Sequence, residues 1–320
     1  MNKNWFWLII GVLAMSSCNK LDVIEGSDPE NEVPSVVKEP TATKNISVNL
    51  SLGTNFLYKW AEGDSVSLFV MREGENSSEH EENINIPTSY IYGAWNLLSP
   101  IKLTDEQWKA YAYFPYRAEW DRYKVPIAVD DSITHMIGAT TLSFGYHNNK
   151  ILIEMKQPKA LFTVYVRKQG RVDRKIVKSV RVFRKRSGLP QAGSLDILTG
   201  KIEFSKYGDY TKDSLNYEVS YGSTAEPIDF QVLPTIQNTS TVKGAELNNS
   251  DPTYIEMEIN NGVMTAELPS PVANWEAGKQ YIVNVLYNND ELVIEQVSIR
   301  VWQTQICEVP GSNLPEDTGL

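Results

Sequence analysis

From Ile46 onward, apolar and polar residues alternate with a period of two. In ISVNLSL, residues 46–52, Ile46, Val48, Leu50 and Leu52 fall on one face and Ser47, Asn49 and Ser51 on the other. That is the signature of a half-buried β-strand. VSLFVM, KAYAYFP, ILIEM, LFTVYV, VKSVRVF, YIEMEI, YIVNVLY and VSIRVW follow, short and rich in β-branched and aromatic residues. Turn chemistry separates them. Asn261-Gly262 stands between YIEMEIN and VMTAEL, Asn288-Asn289-Asp290 between YIVNVLY and ELVIEQV, and His147-Asn148-Asn149 before KILIEM. No stretch keeps an apolar 3.6-residue period beyond about two turns. The best helical candidate is LTDEQWKAY, residues 103–111, with Thr104 as its cap.

Many short strands divided by turns predict an all-β chain of antiparallel sandwiches, and the length suits two of them. The boundary is placed at Gln157-Pro158, because a proline there interrupts pairing between KILIEMK and ALFTVYV.

The first 44 residues do not follow the alternation. Lys3, the apolar run from Trp5 to Leu13 and the small residues Ser16 and Ser17 form a secretory signal that ends at Cys18. A thiol directly after such a signal is a site for acylation, and Met15-Ser16-Ser17-Cys18 is similar to a bacterial lipobox. The apolar run is shorter than the roughly 20 residues of a membrane-spanning helix. The segment from Asn19 to Lys44 is polar, acidic and broken by Pro29, Pro34 and Pro40, a composition that cannot offset the entropy of ordering. The expected organisation is therefore a lipoprotein signal peptide (1–17), a lipidated flexible tether (18–44), an N-terminal β-sandwich (45–157) and a C-terminal β-sandwich with a tail (158–320).

Charge and cysteine usage narrow the partners. The chain carries 40 acidic against 30 basic residues, which disfavours nucleic acid. Its second cysteine, Cys307, has no partner once Cys18 carries lipid, so stability must come from the core. One stretch runs against the acidic trend: residues 167–186 hold ten basic residues and one acid, Asp173. It reads either as a patch for an anionic partner or as the solvent faces of two adjacent strands.

Candidate chemistry is sparse. The three histidines, His80, His135 and His147, have no second His or Cys at metal-ligand spacing. The chain has no HExxH, no G-x-S-x-G and no glycine-rich loop opening a helix, so neither cofactor, metal nor catalysis is expected. The adjacent acids Asp130-Asp131 and Glu81-Glu82 read as solvated loops. Trp95, Trp108 and Trp120 lie among tyrosines. Trp95 or Trp120, if exposed, would suit a sugar ring, while core packing is the simpler role for such side chains.

In order, these pieces resemble the fimbrillin family, surface lipoproteins of type V pili. The resemblance rests on Cys18; on Trp60, Gly63 and Asp64 as W-x-x-G-D; on Tyr111, Tyr113, Pro115 and Tyr116 as Y-x-Y-x-P-Y; on AGSLDILTGKI; on Gly278 and Tyr281; and on Ile299 and Trp302 in the closing strand. It implies two transthyretin-like antiparallel β-sandwich domains, a structural and adhesive role in a fimbrium on the outer membrane, and assembly with other pilus subunits by strand exchange. Ile46, Val48 and Leu50 would belong to the strand given up. Val297, Ile299 and Val301 would belong to the donor region and point inward. No arginine lies between Cys18 and Arg72, so trimming by an arginine-specific protease in that interval is not available, although a cut at Lys38 or Lys44 is. An anchor or accessory subunit that keeps its lipid fits this better than a stalk. The alternative reading is a surface glycan-binding lipoprotein.

Overall fold

The computed structural model describes residues 41–42, 46–52, 59–74, 83–104, 106–120, 124–131, 133–145, 147–169, 174–219, 226–239, 242–246, 251–260, 262–288 and 291–302. Cys18, His80, Glu81-Glu82, Lys38, Lys44, Cys307 and the tail after Trp302 lie outside them.

Before the expected boundary the strands are β1 (Thr41–Ala42), β2 (Ser47–Leu52), β3 (Ser65–Arg72), β4 (Ile86–Ile91), β5 (Ala94–Leu97), β6 (Lys102–Leu103), β7 (Trp108–Phe114), β8 (Lys124–Ala128), β9 (Met136–Ala139) and β10 (Lys150–Met155). After it come β11 (Ala160–Lys168), β12 (Ile176–Arg184), β13 (Leu189–Asp196), β14 (Ile202–Gly208), β15 (Tyr210–Lys212), β16 (Tyr217–Glu218), β17 (Ile228–Val232) and β18 (Ile236–Thr239). The series ends with β19 (Val242–Glu246), β20 (Thr253–Ile259), β21 (Gly262–Glu267), the single-turn helix α1 (Ser270–Ala273), β22 (Lys279–Asn288) and β23 (Glu291–Val301). The chain is thus nearly all β.

The first seven-stranded sheet runs β10-β2-β5-β4-β3-β7-β9. Bridges Ile137↔Lys156 and Thr140↔Ile153 join its two ends, so it curls into a closed layer. Inside lie Leu50, Leu68, Val70, Trp108, Phe144 and Ile153. Closure demands close approach at the seam. A Cβ on Gly138 would lie 2.4 Å from the Ile153 side chain and 2.6 Å from the Glu154 carbonyl oxygen. At the entry to β3, Gly63 takes φ +90°, where a side chain is disfavoured, and the Asp64 carboxylate accepts the Ala61 amide at 2.7 Å. The W-x-x-G-D residues therefore build the turn that launches this strand.

The predicted helix at residues 103–111 is corrected. β6 ends at Leu103 and β7 begins at Trp108. Trp108, Ala110, Ala112 and Phe114 alternate into the core, so the period of two decides, and the Thr104 hydroxyl bonds the Glu106 carboxylate at 2.8 Å instead of capping a helix.

In the second half, the sheet β17-β11-β22-β23 packs on β15-β12-β20-β21. Phe162, Val164, Val283 and Val285 from one, and Val180, Val182, Ile255 and Met257 from the other, share one cluster around the buried Trp275. The hairpins β20–β21 and β22–β23 form where the turn signals placed them. Two pairings depart from a purely antiparallel arrangement: β2 lies parallel to β10, and β11 parallel to β22. Such pairs need long crossovers rather than hairpins, so turn residues do not announce them.

A third sheet, β14-β13-β8, takes β8 from before the expected boundary and β13 and β14 from after it. It covers the outer side of β3 and β7, where Phe69 and Tyr113 meet Val125, Ile127, Leu195 and Ile202. That cover explains why β3 is buried on both faces and reads as a continuous apolar run. The β13–β14 turn is the one TGKI suggests: the Asp196 carboxylate accepts the amides of Leu198 and Thr199 at 2.9 and 3.2 Å. Residues 39–320 make one compact unit. Thr41–Ala42, expected within the tether, instead pair with Lys102–Leu103.

Candidate assembly edges and the buried junction

β2 sits in the closed layer between β10, which it pairs along its full length, and β5, which it touches in register only at Val48↔Trp95. Val48 and Leu50 are buried, and Ile46 packs on the same cluster from its margin. The alternation read from ISVNLSL is realised side chain by side chain, since Ser47, Asn49 and Ser51 are exposed. Withdrawing β2 would leave an apolar slot beside the unpaired backbone of β10, the arrangement that accepts a foreign strand.

β23 ends its sheet, and among the described residues its only ladder partner is β22. Directly opposed residues of an antiparallel pair share a face. Val297 and Ile299 oppose Val283 and Tyr281, both buried in the core, so they lie on the core side of the sheet. Val297 is partly covered, but Ile299 and Val301 are 44% and 51% exposed. The facing sheet leaves this end of β23 bare. A bulge between Val285 and Asn284 shifts the register, which keeps Leu292 and Ile294 inward on one side of it and Val297 on the other. A cleft of about 440 Å³ separates β23 from the edge strand β21, lined by Glu267, Leu268 and Pro269 across from Ile294 to Val297.

The tryptophans take the packing role. Trp95 is buried against Trp60, edge to face with centroids 4.8 Å apart. Trp120 is half-buried and lies edge-on to Tyr113 at 4.7 Å. Trp95 fills space beneath strands, where truncating such a ring costs about 3–5 kcal/mol, and Trp120 packs from the margin of the third sheet's cluster. The basic stretch is also accounted for locally. β11 and β12 are consecutive in the chain but belong to facing sheets, not adjacent strands. Acids on nearby strands meet its cations: Arg167 reaches across β22 to Glu295 on β23, and Arg174 pairs with Glu218 at 2.9 Å, Lys178 with Glu258 at 3.5 Å and Arg181 with Glu256 at 3.2 Å. Arg184 is buried and bonds Thr253 and Asn274.

The sequence reading missed a buried polar junction. Asp131, expected in a solvated loop, accepts the Ala128 amide at 2.9 Å, His135 Nε2–H at 2.8 Å and an ion pair from Lys159 Nζ. His135 Nδ1 then accepts the Tyr113 hydroxyl. Tyr113, His135 and Lys159 are each about 1% exposed or less. Burial opposes ionisation of Asp131, but the bonds from His135 and Lys159 prevail and hold its carboxyl at about 2. Burial lowers the His135 and Lys159 pKa values, partly opposed by Asp131, and raises that of Tyr113. His135 is therefore a neutral link at pH 7, set beside the Lys159–Asp131 pair. The only hint in the sequence is an acid and a histidine four apart; Lys159 lies 28 residues further on, across the expected boundary.

A fimbrillin-like family model matches residues 52–302. No curated protein matches the sequence. Among solved structures, a candidate cell-adhesion protein from Bacteroides uniformis aligns with a TM-score of 0.53 at 12% identity, over 81% of this chain and 99% of that one. A candidate cell-adhesion protein from Bacteroides ovatus aligns at 0.52 and 15% identity, over 82% and 99%. A fimbrial protein from Bacteroides vulgatus aligns at 0.51 and 10% identity, over 81% and 100%. At these identities the likeness is one of fold.

Proposed function

The chain belongs to the fimbrillin-like family, and from that premise we propose that it is a structural, non-catalytic subunit of a cell-surface pilus that contributes to adhesion and joins other subunits by β-strand exchange. The fimbrial and cell-adhesion descriptions of proteins with the same fold support this reading. The observation that carries it is β23: an edge strand whose core-side Ile299 and Val301 are uncovered, so that the strand offers both unpaired backbone and apolar side chains to a neighbour. β2 supplies the complementary element, since its removal opens a slot lined by Trp95, Ile151 and Ile153. In this scheme 45–157 and 158–320 act as two sandwich domains of transthyretin-like type, fastened by the shared sheet β14-β13-β8.

The double variant Ile299→Lys/Val301→Lys tests assembly. Both side chains are exposed, so folding stability is expected to stay within about 0.5 kcal/mol of wild type. The unchanged protein is expected to form a detergent-resistant ladder on unheated gels, and the double variant is expected to form none. A ladder that survives both lysines refutes exchange through β23.

Cys18 is proposed to carry the lipid that holds the subunit to the outer membrane. Acyl chains contribute about 0.8 kcal/mol per buried methylene, enough for durable retention when several are attached. Metabolic labelling with palmitate is expected to mark the protein and to be lost in Cys18→Ala; persistent labelling of that variant would place the anchor elsewhere.

A further inference from the structure

We propose that the outer face of the sheet β17-β11-β22-β23 binds a neutral pyranose oligosaccharide in the groove between that sheet and the segment 129–131. This goes beyond the assembly reading and does not depend on it: the groove is bordered by β15 and the segment 129–131, and of the assembly strand β23 it takes in only Arg300.

The groove encloses about 920 Å³, within the size of small-molecule sites, roughly 300–1,000 Å³. Its floor is a chain of fixed polar groups that crosses all four strands. Arg300 Nε donates to Gln280 Oε1 at 2.8 Å, Gln280 Nε2 donates to Thr163 Oγ1 at 2.8 Å, and Thr163 Oγ1 donates to Asp229 Oδ1 at 2.6 Å. Gln280 and Thr163 are 7% and 0% exposed, so the chain is held without further loss of side-chain freedom. Capacity remains at its ends: the terminal guanidinium nitrogens of Arg300, the second oxygen of Asp229 and the amide nitrogen of Gln231 project from exposed or half-buried residues. Leu161 and Tyr165 flank Thr163 on the same face of β11, so an apolar side chain stands on each side of the polar line.

A pyranose ring needs such a surface. One of its faces is a patch of C–H groups that rests on an apolar side chain such as Leu161 or Tyr165, while its rim of hydroxyls both donates and accepts, matching carboxylate, amide and guanidinium in turn. Along the lining, acids outnumber bases four to two: Asp130, Asp131, Asp209 and Asp229 against Lys212 and Arg300. Asp131 is already matched by Lys159. Asp209 is likewise paired with Arg181, at 3.7 Å, so the unmatched charges balance and the groove offers no net positive field to hold phosphate, sulfate or uronic acids, which suits an uncharged sugar.

Isothermal titration of the full chain with maltotriose, mannotriose and triacetylchitotriose tests the proposal. Saturable binding of at least one of them is expected, weakened at least about tenfold by Arg300→Ala and by Gln231→Ala, each of which removes a hydrogen bond from an exposed position. Unfolding midpoints of the variants, matched to wild type, show that the loss belongs to the site, and Tyr92→Ala, at an exposed turn, is expected to bind normally. The proposal is overturned by no binding of any trisaccharide, by unchanged binding in both groove variants, or by tighter binding of a heparin-derived tetrasaccharide. Gln231→Ala, on β17, lies away from the assembly strand, whereas Arg300 lies on β23, so the gel assay is run on both variants and a loss of sugar binding with the ladder intact separates the site from assembly.

Discussion

Lys159→Ala is expected to lower the unfolding free energy by about 3–5 kcal/mol in urea titrations at pH 7, the cost of leaving a partner charge buried without its counterion. The lysine is 1% exposed and its ammonium points at Asp131, which also receives His135 and the Ala128 amide. Removing the cation leaves a carboxylate that is only partly solvated, and truncation adds a cavity. The double variant Lys159→Met/Asp131→Asn deletes both charges at similar volume and is expected to recover most of the loss, since an ion pair replaced as a unit is often near neutral. Equal losses in the single and double variants would show that packing, not charge, dominates the site.

The same junction sets an acid limb. The folded pKa of His135 lies below its ordinary 6.5, so its contribution is present above about 6.5 and is lost as pH falls toward the folded value. The depressed Asp131 contributes above about 3.8 and loses that contribution as pH falls through about 2. Urea midpoints should therefore decline first below pH 6.5. His135→Gln is expected to flatten that first decline while leaving the lower one in place.

Gly138→Val is expected to cost about 1–3 kcal/mol, the usual penalty of forcing atoms into a filled site. The added Cβ alone falls 2.4 Å from the Ile153 side chain and 2.6 Å from the Glu154 carbonyl oxygen, and the latter is backbone that cannot swing away. Relief requires β9 to part from β10. Amide exchange should accordingly quicken at Ile137 and Lys156, whose bonds to one another's carbonyls are 2.9 and 2.7 Å long and close the layer at that point. Unaltered protection at both amides would mean that the strain is absorbed elsewhere.

Strand content was legible because alternation is local: Val48 and Leu50 inward, Ser47 and Asn49 outward, needs only seven residues of text. Hairpins were legible for the same reason. Pairings between distant segments were not. β2 with β10 and β11 with β22 are parallel and joined through most of each half, and β8 with β13 unites segments on either side of Pro158. No turn marks them, and side-chain pattern does not specify a neighbour 60 or 100 residues away. Local spacing also misled at residues 103–111, where the cap candidate Thr104 and the three-residue spacing of Trp108 and Tyr111 mimic a helical turn while Trp108, Ala110 and Ala112 decide for a strand. At the assembly edges, the alternation of Val297, Ile299 and Val301 was readable but their exposure was not, because it depends on how far the facing sheet extends. The junction of Asp131, His135 and Lys159 was hidden for a related reason: adjacency in space was needed to turn a loop acid into the half-buried acceptor of a histidine and a lysine.

The ladder between β8 and β13 also bears on tension. In a polypeptide tugged from its two ends, a connection made only of the chain at Gln157-Pro158 would yield as a hinge. Here the five residue pairs from Ala192↔Ala128 to Asp196↔Lys124 run alongside it, so stretching must rupture a strand pair before the halves can separate.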